Sequence, residues 1–409
     1  MSYKILRITN LYKEYIESFY SENSNYLKQT YQDQNNELTN DSIELVSSYC
    51  KFFSQIGIDA IVVITNASHL QKAWALENNV SFELPFEEFI LLQIKHFKPE
   101  ILWIDDTRLM NKSWLTLLKS TIPSIRLLVG HICAPYNGVI EESLSCFDIM
   151  FTCTPGLKNE FIKKGLESHC IYHSFDHTLL DIIPEINYQL KSYDFVFTGS
   201  LYLGPGLHKN RLEFLEELIA KNISIQIFGN LESRKRILQK QLTYFVINFI
   251  NSIGLKGIIS SSSVLKKIAS YGDSKITYYS NELLKSVQPP VFGIEMLRIL
   301  SNSKKCFNIH GEVANNCAGN IRLFEATGVG SCLITDWKSN ISNLFVPDEE
   351  VITYRSFEEC IEKVQWLNEN PIEAEKISKA GQKRTLKDHT VLNRVNEVHA
   401  ILLKALQKN

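Results

Sequence analysis

Long apolar segments are missing from the 409-residue sequence, which has no uninterrupted apolar run of about 20 residues. A helix needs a run of that length to cross a bilayer, so we expect no membrane span, and only peripheral contact with a membrane is left open. Residues 1–9 lead directly into a predicted strand without the pattern of a signal peptide. These absences favour a cytoplasmic location.

Paired cysteine motifs and an excess of charge of one sign are also missing. The nine cysteines are scattered, and no two of them form a C-x-x-C motif. This usage is typical of reduced thiols and predicts neither a disulfide framework nor a zinc site. Lys and Arg number 43 and Asp and Glu number 45, which gives a net charge of −2. Without a basic excess or a long basic run, nucleic acid is not expected as the main partner.

The sequence lacks the common loops that bind phosphate. The loop after the first predicted strand, residues 10–12, has no G-x-G-x-x-G pattern, and no Walker loop occurs elsewhere. Neither a Ser-His-Asp order nor a metal-ligand spacing is visible. We therefore expect no metal and no other cofactor, and the first half is a poor candidate for nucleotide binding.

Apolar runs of strand length alternate with segments of helical periodicity along the chain. Such alternation predicts an α/β fold in which parallel sheets are covered by helices on both faces. The length predicts two domains, and the weakly patterned residues 181–193 predict a linker. We therefore place an N-terminal domain at residues 1–185 and a C-terminal domain at residues 186–409. The predicted strands are residues 4–9, 59–65, 100–104, 125–129, 148–152 and 170–172 in the first domain, and 194–198, 224–228, 306–309, 331–335 and 351–354 in the second.

Residues 304–336 form the most informative stretch of the sequence. They predict a buried strand (306–309), a polar loop, a helix and a second strand (331–335). Asn320 is predicted to cap the helix, whose N-terminal N–H groups and partial positive charge favour phosphate. Glu325 lies about one and a half turns into this helix, where its carboxylate could accept hydrogen bonds from ribose hydroxyls. The alternative is a glutamate that only complements the helix dipole.

The motif N-x-R-x-F-E at residues 320–325, followed by G-x-G at residues 328–330 and an apolar strand, resembles a known family. It is similar to the nucleotide-sugar half of group-1 glycosyltransferases with the two-domain GT-B fold, most of all to the branch that includes the spore-maturation CgeB-like proteins. The resemblance is strongest over about residues 194–395. It implies two facing Rossmann-like domains with a deep cleft between them, and a last helix that crosses back to the first domain. It also implies a nucleotide sugar, such as a UDP-sugar, and an acceptor as partners, with no metal needed.

Polar residues at strand ends are the candidates for the site, because ligands of open α/β sheets bind outside the carboxyl ends of the strands. Together with the resemblance, they predict a donor-binding set of Gly199, Ser200, Lys209, Arg211, His310, Gly311, Asn320, Arg322 and Glu325. Lys209 and Arg211 would neutralise the leaving diphosphate, unless they are solvated charges at a helix start. Arg322 would pair with the diphosphate or form a surface salt bridge. Asn320 and His310 could equally be structural.

A general base is needed near the acceptor hydroxyl if transfer inverts the anomeric configuration. Asp105, Asp106 and His131 follow predicted strands of the first domain and are the catalytic candidates, and histidine is the side chain that ordinarily titrates near neutral pH. Each taken alone could also be structural. In many retaining relatives a glutamate lies eight positions before the ribose glutamate, and Cys317 occupies that position here. The usual pair of glutamates is therefore broken.

Two segments have more than one interpretation. Residues 12–40 predict helical pieces and a loop near residues 32–41, with a solvated surface favoured over a lid that binds the acceptor. Apolar residues between positions 242 and 253 recur at spacings of three and four, which predicts a packed helix. A helix that lies on a membrane surface is the alternative.

The function expected from these observations is a hexosyltransferase-type glycosyltransferase. It would move a sugar from a nucleotide-sugar donor to an unknown acceptor, which could be a glycan, a lipid-linked molecule, a natural product or a protein. A nucleotide-sugar epimerase of the same fold is one alternative, since it would share the donor site. A catalytically inactive subunit that binds nucleotide sugar is the other, because Cys317 replaces a glutamate of the usual motif. The oligomeric state is left open.

Overall fold

The structure, a computed structural model, describes residues 2–42, 45–136, 138–203, 209–254, 269–273, 275–311 and 316–408. Its framework consists of two six-stranded parallel sheets. The strands are β1 Lys4–Thr9, β2 Asp59–Ile64, β3 Ile101–Ile104, β4 Leu127–His131, β5 Ile149–Thr152, β6 Ser168–Cys170, β7 Tyr193–Thr198, β8 Gln226–Phe228, β9 Val287–Gln288, β10 Ser303–Asn308, β11 Cys332–Asp336 and β12 Ile352–Tyr354. The first sheet has the order β2-β1-β3-β4-β5-β6 and the second the order β12-β11-β10-β7-β8-β9.

Helices connect the strands. The α-helices of the first half are α1 Lys13–Glu22, α2 Tyr31–Ser42, α3 Leu45–Gln55, α4 Ser68–Glu77, α5 Phe86–Phe97, α6 Lys112–Thr121, α7 Gly138–Ser143 and α8 Pro155–Lys163. Those of the second half are α9 Lys209–Ala220, α10 Arg234–Ser252, α11 Asn281–Ser286, α12 Gly293–Ser301, α13 Arg322–Gly328, α14 Ile341–Leu344, α15 Phe357–Glu369, α16 Pro371–Asp388 and α17 Val391–Lys408. Short 3-10 helices occupy Ser24–Lys28, Thr107–Leu109, Leu144–Cys146, His177–Asp181, Tyr188–Leu190 and Ala269–Gly272.

Each sheet has a core on both of its faces, which explains the continuous apolar runs of the strands. In β3, Leu102 and Ile104 belong to one hydrophobic cluster, whereas Ile101 and Trp103 belong to another on the opposite face. All four side chains are buried. Strand β10 divides its residues in the same way between the two clusters of the second sheet. The predicted α/β fold class is therefore confirmed.

The last helix, α17, packs against the first sheet although it follows the second sheet in sequence. Val395, Val398 and Leu402 are buried in the cluster that contains Trp103. The contact also has a polar part, since the Tyr3 hydroxyl lies 2.7 Å from Nδ1 of His399. The crossing implied by the resemblance is therefore present. The two sheets lie on either side of the predicted domain boundary at residues 185 and 186, and the boundary itself stays a prediction.

Within residues 12–40 the predicted helical pieces are present, but the loop predicted near residues 32–41 is wrong, and the segment is not only a solvated surface. Residues 31–42 form helix α2, and α1 buries Tyr15 and Tyr20 in the first core. The tyrosines can be buried because their hydroxyls have acceptors inside the fold. Tyr15 donates to Asp41 Oδ2 at 2.7 Å and Tyr20 donates to Gln34 Oε1 at 3.1 Å. Rings of this kind pack like apolar residues while their polar ends are satisfied, which a weak hydrophobic period does not reveal.

The prediction that the apolar stripe between positions 242 and 253 is packed is also wrong. Helix α10 is present, but Leu242, Phe245 and Phe249 on it are 57%, 59% and 65% exposed. The buried residues of this helix are Ile237 and Ile247. The helical period was therefore correct and the buried face was not. In the part of the chain that the structure describes, no helix is long and apolar enough to span a bilayer.

Candidate functional site

The strand orders locate one crevice in each sheet. In the second sheet the chain runs from β7 outwards through β8 and β9, then returns to the other side of β7 and continues outwards from β10. Ligands of such sheets bind where the direction of the connections reverses, outside the carboxyl ends of the two central strands. Gly199 follows β7 directly, and His310 lies two residues after β10. The first sheet reverses between β1 and β3, and Asp105 follows β3.

Arg211 lies at the crevice of the second sheet with few partners. Its guanidinium is 5.3 Å from the centre of the Phe197 ring, and Nη1 donates to the Ser200 carbonyl at 3.2 Å. Among the described residues, its buried Nε has no hydrogen-bond acceptor. Burial, and after it the charge of Arg322, lower the pKa of Arg211 to about 10, so the side chain is still cationic at neutral pH. A cation in this position is short of negative charge and of acceptors.

The backbone at Gly199 fits closely around this arginine. A Cβ atom added to Gly199 would lie 3.0 Å from the Phe197 ring and 3.1 Å from Nη1 of Arg211. Any larger residue would therefore displace the guanidinium. Lys209, also a predicted donor residue, begins helix α9, and its side chain lies outside the described part of the structure.

Arg322 and Glu325 form an ion pair in the first turn of α13. Nη1 of Arg322 lies 2.8 Å from Oε2 of Glu325, with side chains that are only 14% and 6% exposed. Nη2 of Arg322 contacts the Met296 sulfur at 3.1 Å. The arginine is thus in a salt bridge, as one alternative predicted, but the salt bridge is buried rather than on the surface. Glu325 shares its negative charge with a cation that lies close to Arg211.

Asn320 does not cap α13, so that prediction is wrong. The residue before the helix is Ile321, and no side chain caps this end. Asn320 instead donates from Nδ2 to Oδ1 of Asn308 at 2.6 Å. Asn308 ends the buried strand β10, and a buried amide needs hydrogen-bond partners nearby. The side chain of Asn320 therefore pairs with Asn308 instead of capping the helix.

His310 is held by an aspartate at the end of the neighbouring strand β11. Its Nδ1 lies 2.6 Å and its backbone N 2.9 Å from Oδ1 of Asp336, and Lys338 Nζ lies 2.9 Å from Oδ2 of the same carboxylate. Burial acts to raise the pKa of Asp336, but His310 and Lys338 outweigh it and lower the pKa to about 2. Because the carboxylate is ionised, Nδ1 donates the hydrogen. Nε2 is buried and has no partner within the described ranges. Gly311, the next residue, ends the described segment 275–311.

The loop before α13 packs against the carboxyl edge of the first sheet. A Cβ atom added to Gly319 would lie 2.5 Å from the Cys153 carbonyl oxygen, so only glycine permits this approach. Asn340 bridges the same region, since its Nδ2 donates to the Ala318 carbonyl at 2.9 Å and contacts the Tyr172 hydroxyl at 3.2 Å. The predicted donor loop therefore contacts the first half directly.

His131 and Asp105 are adjacent, and Asp106 is apart from them. Nδ1 of His131 lies 3.2 Å from Oδ1 of Asp105, and Nε of Arg7 donates to Oδ2 at 2.7 Å. Burial acts to raise the pKa of Asp105, but Arg7 and His131 lower it overall. Asp106 is fully buried, where it accepts hydrogen bonds from Thr65 at 2.5 Å and from Arg108. The structure thus joins two of the three predicted catalytic residues, and Asp106 has the contacts of a structural carboxylate.

A group of thiols and imidazoles at the carboxyl edge of the first sheet was missed by sequence reasoning. One ligand atom each from Cys133, Cys153 and His173 lies within 4.8 Å of the other two. Nε2 of His131 is 3.2 Å from Cys133 Sγ. The three residues are about 20 positions apart, which resembles no compact metal motif. The signal in the sequence that could have indicated this group is the H-x-C pattern at residues 131–133.

A cavity of about 430 Å³ lies in the first half. Its lining includes Lys13 and Tyr20 from α1, together with Asn66 and His69 near the start of α4. Asn66 follows β2, so the cavity opens near the same edge of the first sheet as the other candidate residues. Its lining is more apolar than polar and carries a few polar groups, such as those of Asn66 and His69, as small-molecule sites commonly do.

Comparison with known proteins gives matches in sequence family and in fold. Residues 250–400 match a family model described as glycosyl transferase-like, whereas curated proteins give no sequence match. A glycosyltransferase from Rickettsia africae superposes with a TM-score of 0.58 at 11% identity, covering 100% of both chains. An alpha-glucosyltransferase in complex with UDP-glucose and DNA containing an abasic site gives 0.59 at 13% identity, over 98% of this chain and 100% of that one. Anabaena HepE in complex with UDP gives 0.51 at 12% identity, over 98% and 100%.

The fold is GT-B. The sequence match includes five of the predicted donor residues, His310, Gly311, Asn320, Arg322 and Glu325, so residues 250–400 are similar to a glycosyl transferase-like family. The expected function, glycosyl transfer to an acceptor that is not yet identified, is confirmed at the level of this similarity and this fold. The roles of individual residues stay predictions.

Proposed function

We propose that the protein is a hexosyltransferase that uses a UDP-sugar and binds it at the crevice of the second sheet. The observation that carries this proposal is Arg211, a cation with too few acceptors that lies near a second cation, Arg322. Arg322 already has Glu325 as its partner, so Arg211 is the cation that still needs an anion, and planar guanidinium groups bind phosphate oxygens well. The solved structures of Anabaena HepE with UDP and of the alpha-glucosyltransferase with UDP-glucose support uracil as the base. The narrower placement in the CgeB-like branch stays a prediction.

Each predicted donor residue has a role in this proposal. Arg211 and Arg322 bind the diphosphate, and Glu325 accepts hydrogen bonds from the ribose. His310, whose Nδ1 is held by Asp336, offers its Nε2 to a sugar hydroxyl. In the reaction, an acceptor oxygen bonds to the anomeric carbon while the bond to the β-phosphate oxygen breaks. Negative charge then grows on the departing UDP, and fixed cations stabilise that charge most where water is excluded.

The first half would bind the acceptor. His131, with Asp105 holding its Nδ1, is proposed to accept the acceptor proton at Nε2, in place of the contact of that atom with Cys133 Sγ, and the cavity lined by Tyr20 and Asn66 is a candidate acceptor site. Cys317 replaces the first glutamate of the usual retaining motif, and its Sγ lies 3.9 Å from the Ser339 hydroxyl. A thiol is a weak hydrogen-bond former, so we expect transfer that does not depend on that position.

A screen of nucleoside diphosphates by thermal shift tests the proposal. UDP at 100 times its dissociation constant should stabilise the protein by about 2.7 kcal/mol, and GDP, ADP and CDP should do so much less. UDP-sugars should then be turned over with transfer to an acceptor rather than by hydrolysis or epimerisation alone. If no nucleoside diphosphate shifts the melting temperature, the proposed donor site is wrong.

We expect UDP to contact residues 194–395 and barely touch the first half. Hydrogen-exchange mass spectrometry with and without UDP should show protection in peptides that contain Arg211 and Glu325. Peptides that cover residues 5–15 should be unchanged, because the loop after β1 has no glycine-rich phosphate motif. Protection concentrated in residues 5–15 would overturn this expectation.

Replacing His131 by alanine should lower turnover by about 10²–10⁴-fold, as loss of a general base does. The dissociation constant of UDP should stay within about twofold, since His131 belongs to the first sheet and the proposed donor residues belong to the second. The measurements are initial rates and calorimetric titration. His169→Ala is the matched control, because His169 is a partly exposed histidine of β6 in the same half. Unchanged turnover in a folded His131 variant would make the residue structural.

A further inference from the structure

The ends of three neighbouring strands bring two thiols and an imidazole together. Strands β4, β5 and β6 are adjacent, and their parallel register pairs His131 with Phe151 and Thr152 with Cys170. Extending that register beyond the strands sets Cys133 next to Cys153, with His173 just beyond. All three therefore reach the same place at the carboxyl edge of the first sheet. Their ligand atoms lie within 4.8 Å of one another, although the residues are far apart in sequence.

We propose that Cys133, Cys153 and His173 bind a Zn²⁺ ion. Two sulfur atoms and one imidazole nitrogen form a ligand set that zinc prefers, with distances of about 2.3 Å to sulfur and about 2.0 Å to nitrogen. Two ligands of a tetrahedral ion at those distances are about 3.7 Å apart, so a small side-chain movement from the observed spacing closes the site. The fourth position is left for water or for a substrate oxygen, as in zinc sites with three protein ligands.

The surroundings of the three residues fit an ion better than they fit isolated thiols. Cys153 is 5% exposed, so an ion bound to its sulfur atom would be largely shielded from water. Nε2 of His131 lies 3.2 Å from Cys133 Sγ, while its Nδ1 faces Asp105. Hydrogen-bonding partners of metal ligands orient those ligands, and His131 has this position relative to Cys133. The ion would therefore lie beside His131 and below the loop that contains Gly319, at the boundary between the two halves.

The site can be tested without any assay of glycosyl transfer, so a failure of the donor proposal would not affect it. Full-length protein purified under reducing conditions should contain about one zinc per chain by elemental analysis. After removal of metal with a chelator, added Zn²⁺ should raise the melting temperature of the parent protein by several degrees. Co²⁺ in place of zinc should give the thiolate charge-transfer and visible absorption bands of a tetrahedral site.

Cys133→Ser and Cys153→Ser should each reduce the affinity for Zn²⁺ by at least about tenfold. Each should also reduce the thiolate charge-transfer band of the Co²⁺ form, because one of the two sulfur ligands is lost. Cys146→Ser is the matched control, because Cys146 is a partly buried cysteine at the other end of β5. It should keep the metal content of the parent. Since the parent titration needs no variant, the proposal can be tested even if a substitution prevents folding.

Two results obtained with the parent protein would overturn the proposal. One is a parent protein that takes up no Zn²⁺ after reduction, with no change in melting temperature and no cobalt spectrum. The other is a Cys133–Cys153 disulfide found by mass spectrometry in protein protected from oxidation, which would make the pair a redox couple instead. Equal zinc content in the Cys133→Ser, Cys153→Ser double variant and in the parent would also assign any bound metal to another place.

Discussion

Replacing Arg211 by methionine should lower turnover by about 10²–10³-fold, the usual loss when one fixed donor to a developing negative charge is removed. Methionine keeps the apolar contact with the Phe197 ring but removes the cation and the bond to the Ser200 carbonyl. Affinity for UDP should fall as well, because the diphosphate loses a charge-assisted partner. Initial rates and calorimetric titration measure the two effects.

The same variant should keep or raise the melting temperature of the protein. In the absence of a ligand, Arg211 is a buried cation near Arg322, and its Nε has no acceptor among the described residues. Removing such a group relieves repulsion and desolvation, so stability should not suffer. A structural arginine would show the opposite pattern, with lower stability and unchanged chemistry.

Arg236→Met is the matched control for this experiment. Arg236 is 65% exposed on α10 and pairs with Glu232 in an i,i+4 salt bridge. Glu232 is buried, but it also pairs with Lys240, so it keeps a cationic partner when the exposed Arg236 is removed, and rate and affinity should stay at parental values. Arg211→Lys gives a second arm, since it keeps the charge without the planar fork and should recover only part of the activity. An Arg211→Met variant with parental kcat and lower melting temperature would contradict the diphosphate role.

Replacing Glu325 by alanine should weaken UDP binding by about ten- to a hundredfold. Hydrogen bonds from the ribose to a charged carboxylate contribute about 1.5–3 kcal/mol, and about 1.4 kcal/mol corresponds to a factor of ten. Glu325→Gln keeps the shape and loses the charge, so its affinity should lie between those of the parent and the alanine variant. The helix itself should tolerate the change, because alanine is the better helix former. Calorimetric titration with UDP measures the change.

The buried ion pair with Arg322 requires a second measurement. Loss of Glu325 leaves Arg322 without its carboxylate, at a distance of 2.8 Å in the parent, and breaking a buried pair costs about 3–5 kcal/mol of stability. The affinity for UDP would then fall because Arg322 moves, even if Glu325 made no contact with the ribose. Arg322→Met combined with Glu325→Gln separates the two causes, since a glutamate that acts through Arg322 alone adds nothing to the Arg322→Met defect.

A nucleotide without ribose hydroxyls gives the sharpest control. The parent should bind 2′,3′-dideoxy-UDP more weakly than UDP, and the Glu325→Ala variant should bind both equally. Glu295→Ala is the matched substitution, because Glu295 forms an i,i+3 pair with Arg298 that is largely exposed. Its affinity for UDP should not change. If the parent binds both nucleotides equally well, the ribose role of Glu325 is wrong.

The fold could be predicted where the hydrophobic pattern is long and regular. Strand β1 was predicted with its observed limits, Lys4–Thr9, and most other strands within two residues. Strand β6 lies at Ser168–Cys170, two residues before the prediction, and β9 was missed because two residues carry no period. Helix α2 was predicted as a loop, whereas the error in α10 concerns which face is buried. Periodicity locates a helix, whereas the buried face depends on neighbours from distant parts of the chain.

The sequence predicted which polar residues follow the strands, but not which of these residues contact one another. The sequence places Arg322 and Glu325 three residues apart, yet only the fold makes their pair a buried one. His310 was predicted, but its partner Asp336 was not assigned a role, because the two carboxyl ends meet only through the pairing of β10 with β11. The cysteine and histidine group escaped for the same reason, since three strands must pair before its members become neighbours.

The path of α17 has a consequence for how the protein matures on the ribosome. The first sheet is synthesised early, but one of its two faces is covered by residues 391–408, the last described part of the chain. At about 5–20 residues per second, that face stays open until the second sheet has been made and the last helix has emerged. During this time Trp103 and its neighbours have no cover from α17. A premature stop just before Val391 would leave the second sheet complete and the first one exposed to aggregation, so the damage from a C-terminal truncation would appear at the other end of the chain.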